Sequence, residues 1–296
     1  MMKILSSNIS LFLLMMFSCA GIKSNKPSES TTSFSDYWYN SEAEISSYVI
    51  NQARYGENHR GTAVLVFVTE HFSTDKNTKT DLVTESDTPI LKLNFTKKFN
   101  TGIYPYSLMT STFYPIAGQH SLKVSSSSQE WCGHTYMELV NKDQYQISLN
   151  SYFEDESFEK IQIEKVDLED DVWTQIRLNP EGLKTGKSMM IPSFFYLRLK
   201  HQETKAYQCN LAIEEMENYN SYSINYPDLN RTLAIQFEKS FPYKILSWQE
   251  TYESGWGENK KELTTTAKLI NSIKSDYWNE NKVKDSYLRK QLDLDK

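Results

Sequence analysis

The amino-acid sequence predicts a mainly β protein: an antiparallel sandwich, a barrel or a curved half-barrel, with a short C-terminal helix. Three observations support this prediction. Apolar and polar residues alternate with a period of two in many successive segments, as in strands that bury one face. Turn-forming residues separate these segments, for example in 55–61 and 179–186. Only the segment near 282–292 is assigned to a helix, from its helical spacing of apolar residues.

The N-terminal segment 1–18 predicts a lipoprotein signal peptide. Lys3 precedes an apolar run over 9–17, which is too short to span a bilayer, and Ser18 then stands directly before Cys19. We expect cleavage before Cys19, lipidation of its side chain with acyl chains such as palmitate, and a permanent membrane anchor. The alternatives are an ordinary secretory signal cut after Ala20, or a buried cysteine that stands at this position by chance.

The rest of the chain divides into three predicted parts. Residues 19–35 are rich in Ser, Thr, Lys and Asn and predict a flexible tether behind the lipidated Cys19. Residues 36–280 predict a single β-rich globular domain, because no Pro/Gly/Ser-rich linker divides them. Residues 281–296 predict a thinly attached helical tail.

The strands can be assigned in order along this domain. The segment 41–54 fits either period, and we assign it to a first strand that pairs with 62–69, a nearly continuous apolar run. Clean alternation marks 206–214 and 231–239. Further short strands are predicted at 91–95, 121–125, 145–153, 159–166, 194–200, 222–226 and 243–252.

Charge and motifs exclude several functions. The net charge is −6, and no basic stripe is present that could neutralise a phosphate backbone, so nucleic acid is not an expected partner. The sequence contains no GxSxG, no glycine-rich phosphate loop and no HExxH motif. We therefore predict no catalytic residue, no metal and no cofactor from motifs.

The sharpest local feature is the segment 129–134. If it is a strand, its period of two places Glu130, Cys132 and His134 on one face. These side chains could share a metal ion, or Cys132 and His134 could act as nucleophile and base. The alternative is a structural cluster on the polar face of a strand.

Two further features have both a functional and a structural interpretation. Cys132 and Cys209 are the cysteines that remain after Cys19, and an oxidising compartment would permit a disulfide between them. The acidic run 167–171 offers carboxylates for calcium, but it lacks the order of an EF-hand, so we interpret it as a solvated turn.

Aromatic residues form 13% of the chain, with 19 Tyr, 14 Phe and 6 Trp. Dense patches lie at 37–39, 104–114 and 248–256. Such residues suit a cleft for lipid, glycan or peptide, although β domains also use them for cross-strand packing.

The segments ARYGE, TAVLVFVTE, LKLNFTKKFNTGIYPYSLMTSTFYP and QEWCGH, with SGWG at 254–257, resemble a family of bacterial lipoproteins of unknown function. Members of that family are often labelled "septum formation inhibitor Maf". True Maf proteins are cytosolic α/β nucleotide pyrophosphatases with paired arginines in an N-terminal motif, and this chain has no such pair. The resemblance implies a lipoprotein, not nucleotide hydrolysis.

Three functional hypotheses follow. The first is a non-enzymatic domain, anchored on the periplasmic face of a membrane or at the cell surface, that binds a hydrophobic or amphipathic envelope component such as a lipid or glycan. The second is a periplasmic hydrolase or metal-dependent enzyme centred on Glu130, Cys132 and His134. The third is a structural subunit of an envelope complex that contacts another envelope protein.

Overall fold

The computed structural model of the protein describes residues 29–154 and 158–295. Within these ranges the chain forms four α-helices and sixteen strands. The helices are α1 (Glu29–Trp38), α2 (Glu169–Leu178), α3 (Phe194–Lys200) and α4 (Tyr287–Gln291). The strands are β1 (Ala43–Arg54), β2 (Glu57–Ser73), β3 (Thr78–Lys79), β4 (Thr88–Thr101), β5 (Tyr104–Pro115), β6 (Lys123–Glu130), β7 (Gly133–Asn141), β8 (Tyr145–Ser151), β9 (Phe158–Ile163), β10 (Asp167–Leu168), β11 (Gly186–Ile191), β12 (Tyr207–Glu215), β13 (Asn220–Tyr226), β14 (Arg231–Phe237), β15 (Ile245–Ser254) and β16 (Lys261–Ser275).

All sixteen strands belong to one sheet, which confirms the mainly β prediction. Its order is β10-β11-β12-β13-β14-β15-β16-β1-β2-β4-β5-β6-β7-β8-β9, with β3 paired to β2. Pairing is antiparallel except between β10 and β11. The two ends of this order, β9 and β10, are not paired with each other, so the sheet is open. The predicted pairing of 41–54 with 62–69 is confirmed as β1 on β2.

Contacts between aromatic rings show that the sheet is strongly curved. Phe95 on β4 and Trp248 on β15 are four strand positions apart, which would be about 19 Å in a flat sheet. Their ring centroids are only 5.4 Å apart. Trp173 of α2 and Phe195 of α3 pack against Phe95 at 5.0 and 5.3 Å. Helices α2 and α3 therefore fill the concave side of the sheet, where the main hydrophobic core lies.

The segment 194–200 is helix α3, so its prediction as a strand is wrong. The Ser193 side chain caps the helix by accepting a hydrogen bond from the backbone N–H of Tyr196 at 3.2 Å. Every residue from Phe194 to Leu199 is buried, so the short helix has no polar face to show a helical period. Helix α2 was also missed, because its first turn is a run of acidic residues.

Both ends of the described chain are attached to the sheet. Helix α1 begins at Glu29, inside the segment predicted as a tether, and it ends at the fully buried Trp38. The C-terminal helix is confirmed as α4, but the tail is better attached than predicted, because Leu292 is buried beside Ala43 and Val68. None of the helices in the described ranges has the length and apolarity required to cross a bilayer.

Candidate ligand-binding cavity

A cavity of about 640 Å³ lies between α3 and the inner faces of β6, β7, β8 and β9. This volume is within the range of typical small-molecule sites. Strand alternation supplies one wall, since inward positions of β7 and β8 carry apolar side chains. Helix α3 supplies the facing wall. The apolar lining consists of Met137, Leu149, Phe153, Phe194 and Leu197.

Arg198 is the cation on the cavity wall, and its position is fixed on several sides. Its Nη2 lies 3.5 Å from a carboxylate oxygen of the buried Glu130. Its Nε donates a hydrogen bond to Thr135 at 3.2 Å, and its guanidinium carbon lies 4.5 Å from the ring centre of Phe153. The side chain thus joins α3 to the sheet while its charge is balanced by Glu130.

Three carboxylates, Glu154, Glu159 and Glu203, also line the cavity. Glu159 lies on β9, where positions 159, 161 and 163 are half-buried and the alternate positions are exposed. Glu203 forms an exposed ion pair with Lys205. The cavity therefore combines apolar walls with an acidic portion.

Aromatic side chains surround one end of the sheet beside this cavity. The guanidinium carbon of Arg54 lies 4.3 Å from the ring centre of Tyr55, and the hydroxyls of Tyr55 and Tyr106 are 2.6 Å apart. Trp256 packs on Tyr55 at 5.1 Å and lines the cavity while it remains 63% exposed. Trp131 is 67% exposed. Part of the predicted aromatic patches thus lies next to the cavity, and the rest packs in the core.

The predicted Glu130–Cys132–His134 face is not present. The chain turns at 131–132, because Gln129 pairs with His134 and Glu130 with Gly133 in the β6–β7 hairpin. Glu130 points inward and is buried, whereas Cys132 and His134 are exposed. A hydrogen bond to Glu130, together with its negative charge, raises the pKa of the Cys132 thiol, which disfavours the nucleophilic thiolate.

Cys132 and Cys209 are free cysteines, so the disulfide considered as a possibility from the sequence is not formed in this structure. Cys209 is fully buried on β12, and its thiol donates to the backbone oxygen of Ser188 at 3.5 Å. Cys132 lies in the exposed β6–β7 turn. One cysteine thus lies in an exposed turn and the other in a buried strand.

The acidic run is not a solvated turn, because residues 169–171 form the buried first turn of α2. Asp170 accepts a hydrogen bond from the backbone N–H of Phe194 at 3.1 Å. Asp171 accepts from the backbone N–H and the hydroxyl of Ser121 at 3.1 and 2.5 Å. Burial raises the pKa of Asp170 to about 8 and that of Asp171 to about 7. These acids connect the inner helix to neighbouring elements.

The described ranges contain no group of three or more His, Cys, Asp or Glu side chains that could hold a metal ion. This applies to the acidic run as well as to the 130–134 segment. Cys19, the predicted lipidation site, lies outside the described residues.

Sequence reasoning missed the cavity residues on α3 and after β8, chiefly Arg198 and Phe153. The signal that could have indicated them is the single arginine inside the apolar run 194–200. A buried arginine requires a carboxylate partner, and Glu130 was already a candidate residue. The two lie far apart in sequence, so only the fold brings them together.

Comparison with known proteins found no matching family model, no matching curated protein and no matching solved structure.

Proposed function

We propose that this chain is a membrane-anchored lipoprotein whose domain binds a hydrophobic or amphipathic component of the cell envelope. The observation that carries the proposal is the cavity of about 640 Å³, with its apolar lining and its charged side chains. A molecule with an apolar body and a polar head matches a cavity that has both apolar and charged side chains on its wall. The fitting ligand classes are a lipid or a glycan with an apolar part.

The site chemistry favours binding over the hydrolase or metal-enzyme alternative. Glu130 and Cys132 are hydrogen-bonded to each other through the Cys132 backbone N–H at 2.6 Å, and Glu130 is also committed to Arg198. None of Glu130, Cys132 and His134 lines the cavity. The residues proposed for the enzyme hypothesis therefore do not place a nucleophile and a base at the cavity, where a substrate would bind.

The anchor is the second part of the proposal, and it rests on the sequence of residues 1–19. Lipidated Cys19 would hold the domain on the periplasmic face of a membrane or at the cell surface. The lipoprotein resemblance of the sequence agrees with this placement. The exposed Trp256 on the cavity wall would be available to an envelope protein that delivers or receives the ligand.

Native mass spectrometry tests the binding function directly. The chain 20–296 would be secreted to the periplasm of its own host, and its native mass compared with its denatured mass. This chain retains every described contact, since the sheet and its cores lie within residues 29–295. We expect extra mass that disappears on denaturation. A bare native mass, together with no binding in a lipid and glycan screen, would contradict the proposal.

A substitution in the cavity wall provides a second test. Phe153→Ala should weaken ligand binding at least about tenfold, because the Phe153 ring lines the cavity and contacts Arg198. Phe158→Ala is the matched control, since this exposed Phe does not line the cavity. Binding would be measured by calorimetry with the molecule found by mass spectrometry. Equal losses in both variants would exclude the cavity as the binding site.

A further inference from the structure

We infer that a second, smaller cavity binds an oxyanion of the phosphate or sulfate class, either free or as the head of an amphiphile. This cavity of about 80 Å³ lies where the end of α3 meets the segments 53–55 and 254–256. His201 and Trp256 line both cavities, so the two cavities adjoin. The inference goes beyond the proposed binding function, because a free anion can bind here whether or not the larger cavity holds a ligand.

A buried cation without a carboxylate partner carries the inference. Four arginines are buried in the described ranges, and three of them, Arg177, Arg198 and Arg231, form an ion pair with a glutamate. Arg54 lines the small cavity and is 6% exposed, yet it forms no ion pair with any carboxylate of the described residues. A buried charge that is not balanced is costly, so an anion next to it would be bound favourably.

The groups that Arg54 does contact are neutral. Its Nη1 donates to the backbone oxygen of Leu199 in the last turn of α3, and its Nη2 donates to the hydroxyls of Tyr55 and Tyr106, both at 3.3 Å. Carbonyls at the C-terminal end of a helix carry only a partial negative charge. The Nε of Arg54 is buried and has no hydrogen-bond partner in the part of the chain that the structure describes. Most of the positive charge of Arg54 is therefore left unbalanced beside the small cavity.

Lys200 is a second cation on the wall of the small cavity. It is half-buried, and its Nζ donates to the backbone oxygen of Glu253 at 2.5 Å. Burial, together with the positive charge of Arg54, lowers the pKa of Lys200, so the ammonium lies in the field of the guanidinium. The carboxylate of Glu253 pairs with Lys260 at 2.5 Å. Since no Asp or Glu of the described ranges lines the small cavity, its potential is positive.

The segment 254–257 completes the wall with a hydroxyl in a fixed position. Ser254 accepts a hydrogen bond from the backbone N–H of Gly56 at 3.2 Å, which leaves its hydroxyl proton for an anion. Gly255 has a φ of +90°, and a Cβ there would lie 2.4 Å from the backbone oxygen of Asn259, so this backbone is tightly packed. A volume of about 80 Å³ suits an oxyanion of a few atoms, whereas sites for whole small molecules begin at roughly 300 Å³.

Inorganic phosphate, dodecyl phosphate and dodecyl maltoside test this site on the chain 20–296, with both amphiphiles below their micelle concentrations. Calorimetry at constant ionic strength measures their binding, and phosphorus NMR follows the inorganic phosphate. We expect inorganic phosphate to bind in the millimolar range. Dodecyl phosphate should bind about tenfold or more tightly than the neutral maltoside, because its head brings a charge to the cations while its alkyl chain enters the larger cavity.

Two variants locate the anion. Lys200→Gln should weaken phosphate binding at least about fivefold, because it removes one of the two cations that line the small cavity. Arg54→Gln should abolish phosphate binding, with circular dichroism to confirm that the sheet persists. Lys187→Gln is the control, because this exposed lysine lines neither cavity.

The outcomes distinguish the two sources of the anion. Binding of inorganic phosphate without a preference for dodecyl phosphate would support the site and identify a free anion as its ligand. No binding of inorganic phosphate, together with equal affinities for the two amphiphiles, would overturn the anion inference and leave the binding function standing. Phosphate binding that is unchanged in both Lys200→Gln and Arg54→Gln would also overturn it, because the anion would then lie elsewhere. Failure of the maltoside alone would count against the binding function and not against the anion site.

Discussion

Arg231 is a buried charged residue that contacts several partners in the core. It is 1% exposed, its Nη2 donates to Glu169 at 2.6 Å, and its Nε donates to Glu250 at 2.8 Å. The ring of Tyr196 lies 4.2 Å from its guanidinium carbon. One side chain therefore joins β14, β15, α2 and α3. Removing one member of such a buried network is strongly destabilising, because the remaining charges stay buried without a partner or solvent.

We expect Arg231→Met to lower the free energy of unfolding by about 3–5 kcal/mol, since Glu169 and Glu250 would lose their cation. Lys239→Met serves as the control, because the Lys239–Glu215 ion pair is exposed and should contribute little to the stability. Urea unfolding of both variants measures the difference. Similar midpoints for the two variants would contradict this account of the network.

Asp170 is expected to make the stability depend on pH. Burial raises its pKa to about 8, so the folded protein keeps a proton that the unfolded chain releases near pH 4. The free energy of unfolding should therefore fall as the pH rises from about 4 to about 8. Asp170→Asn cannot titrate, and it should gain at least about 1 kcal/mol relative to the parent between pH 5 and pH 8.

Thermal or urea unfolding at several pH values checks this expectation. The exposed Asp228→Asn is the control, and its profile should run parallel to that of the parent. Asp171, with a pKa of about 7, still titrates in the Asp170→Asn variant, so a residual slope is expected. A variant profile as steep as that of the parent would show that Asp170 is not the group responsible.

At the scale of the element, the pairing of β2 with β4 depends on one glycine. Gly61 lies opposite Phe99, and a Cβ there would meet the carbonyl oxygen of Lys98 and lie 2.7 Å from the Phe99 Cβ. Backbone atoms of a paired strand cannot move away independently. The strand pair is thus closer at this point than any side chain permits.

We predict that Gly61→Ala destabilises the domain by about 1–3 kcal/mol through overpacking. Gly182→Ala is the matched control, because its Cβ would meet only the side-chain end of Asn179, at 3.2 Å. That variant should change the stability by less than about 1 kcal/mol. Chemical unfolding distinguishes the two, and a tolerated Gly61→Ala would mean that β2 and β4 can separate locally.

The sequence predicted most strands correctly, but it did not predict the two helices α2 and α3 that pack on the concave side of the sheet. Strands such as β14 bury alternate residues, Leu233, Ile235 and Phe237, so the period of two is visible locally. Helix α3 is buried all round, and seven residues are too few to show a period of 3.6. The acids of α2 are buried only because Arg231 and Ser121 meet them from distant segments.

The same distinction applies to the candidate site. Glu130 was identified from its local segment, but its partner Arg198 lies on an element that was predicted as a strand. The cavity is formed where β6–β9 and α3 approach each other. No local sequence pattern predicts which distant segments come together. Aromatic patches were visible in the sequence, whereas their division between core and cavity required the fold.

At the scale of the whole molecule, the lipid anchor is the prediction that decides where the domain works. Cys19→Ala should transfer the protein from the membrane fraction to the soluble fraction, since it removes the residue that we expect to carry the lipid. Cell fractionation with immunodetection measures this. Cys132→Ala is the control and should remain with the membrane. Retention of the Cys19→Ala chain in the membrane would argue against the lipoprotein assignment.

The order of the strands also affects when the protein can fold. β1 lies in the interior of the sheet between β2 and β16, and the hydroxyls of Ser46 and Ser272 meet at 3.0 Å although they are 226 residues apart in sequence. The early strand β1 can therefore pair with β16 only after nearly the whole chain has been made. Closing so long a loop slows folding. Because the middle of the sheet stays incomplete until β16 is available, we expect the newly made chain to remain unfolded through nearly all of its synthesis. If the chain is exported, as residues 1–19 predict, this delay would let it cross the membrane before it folds.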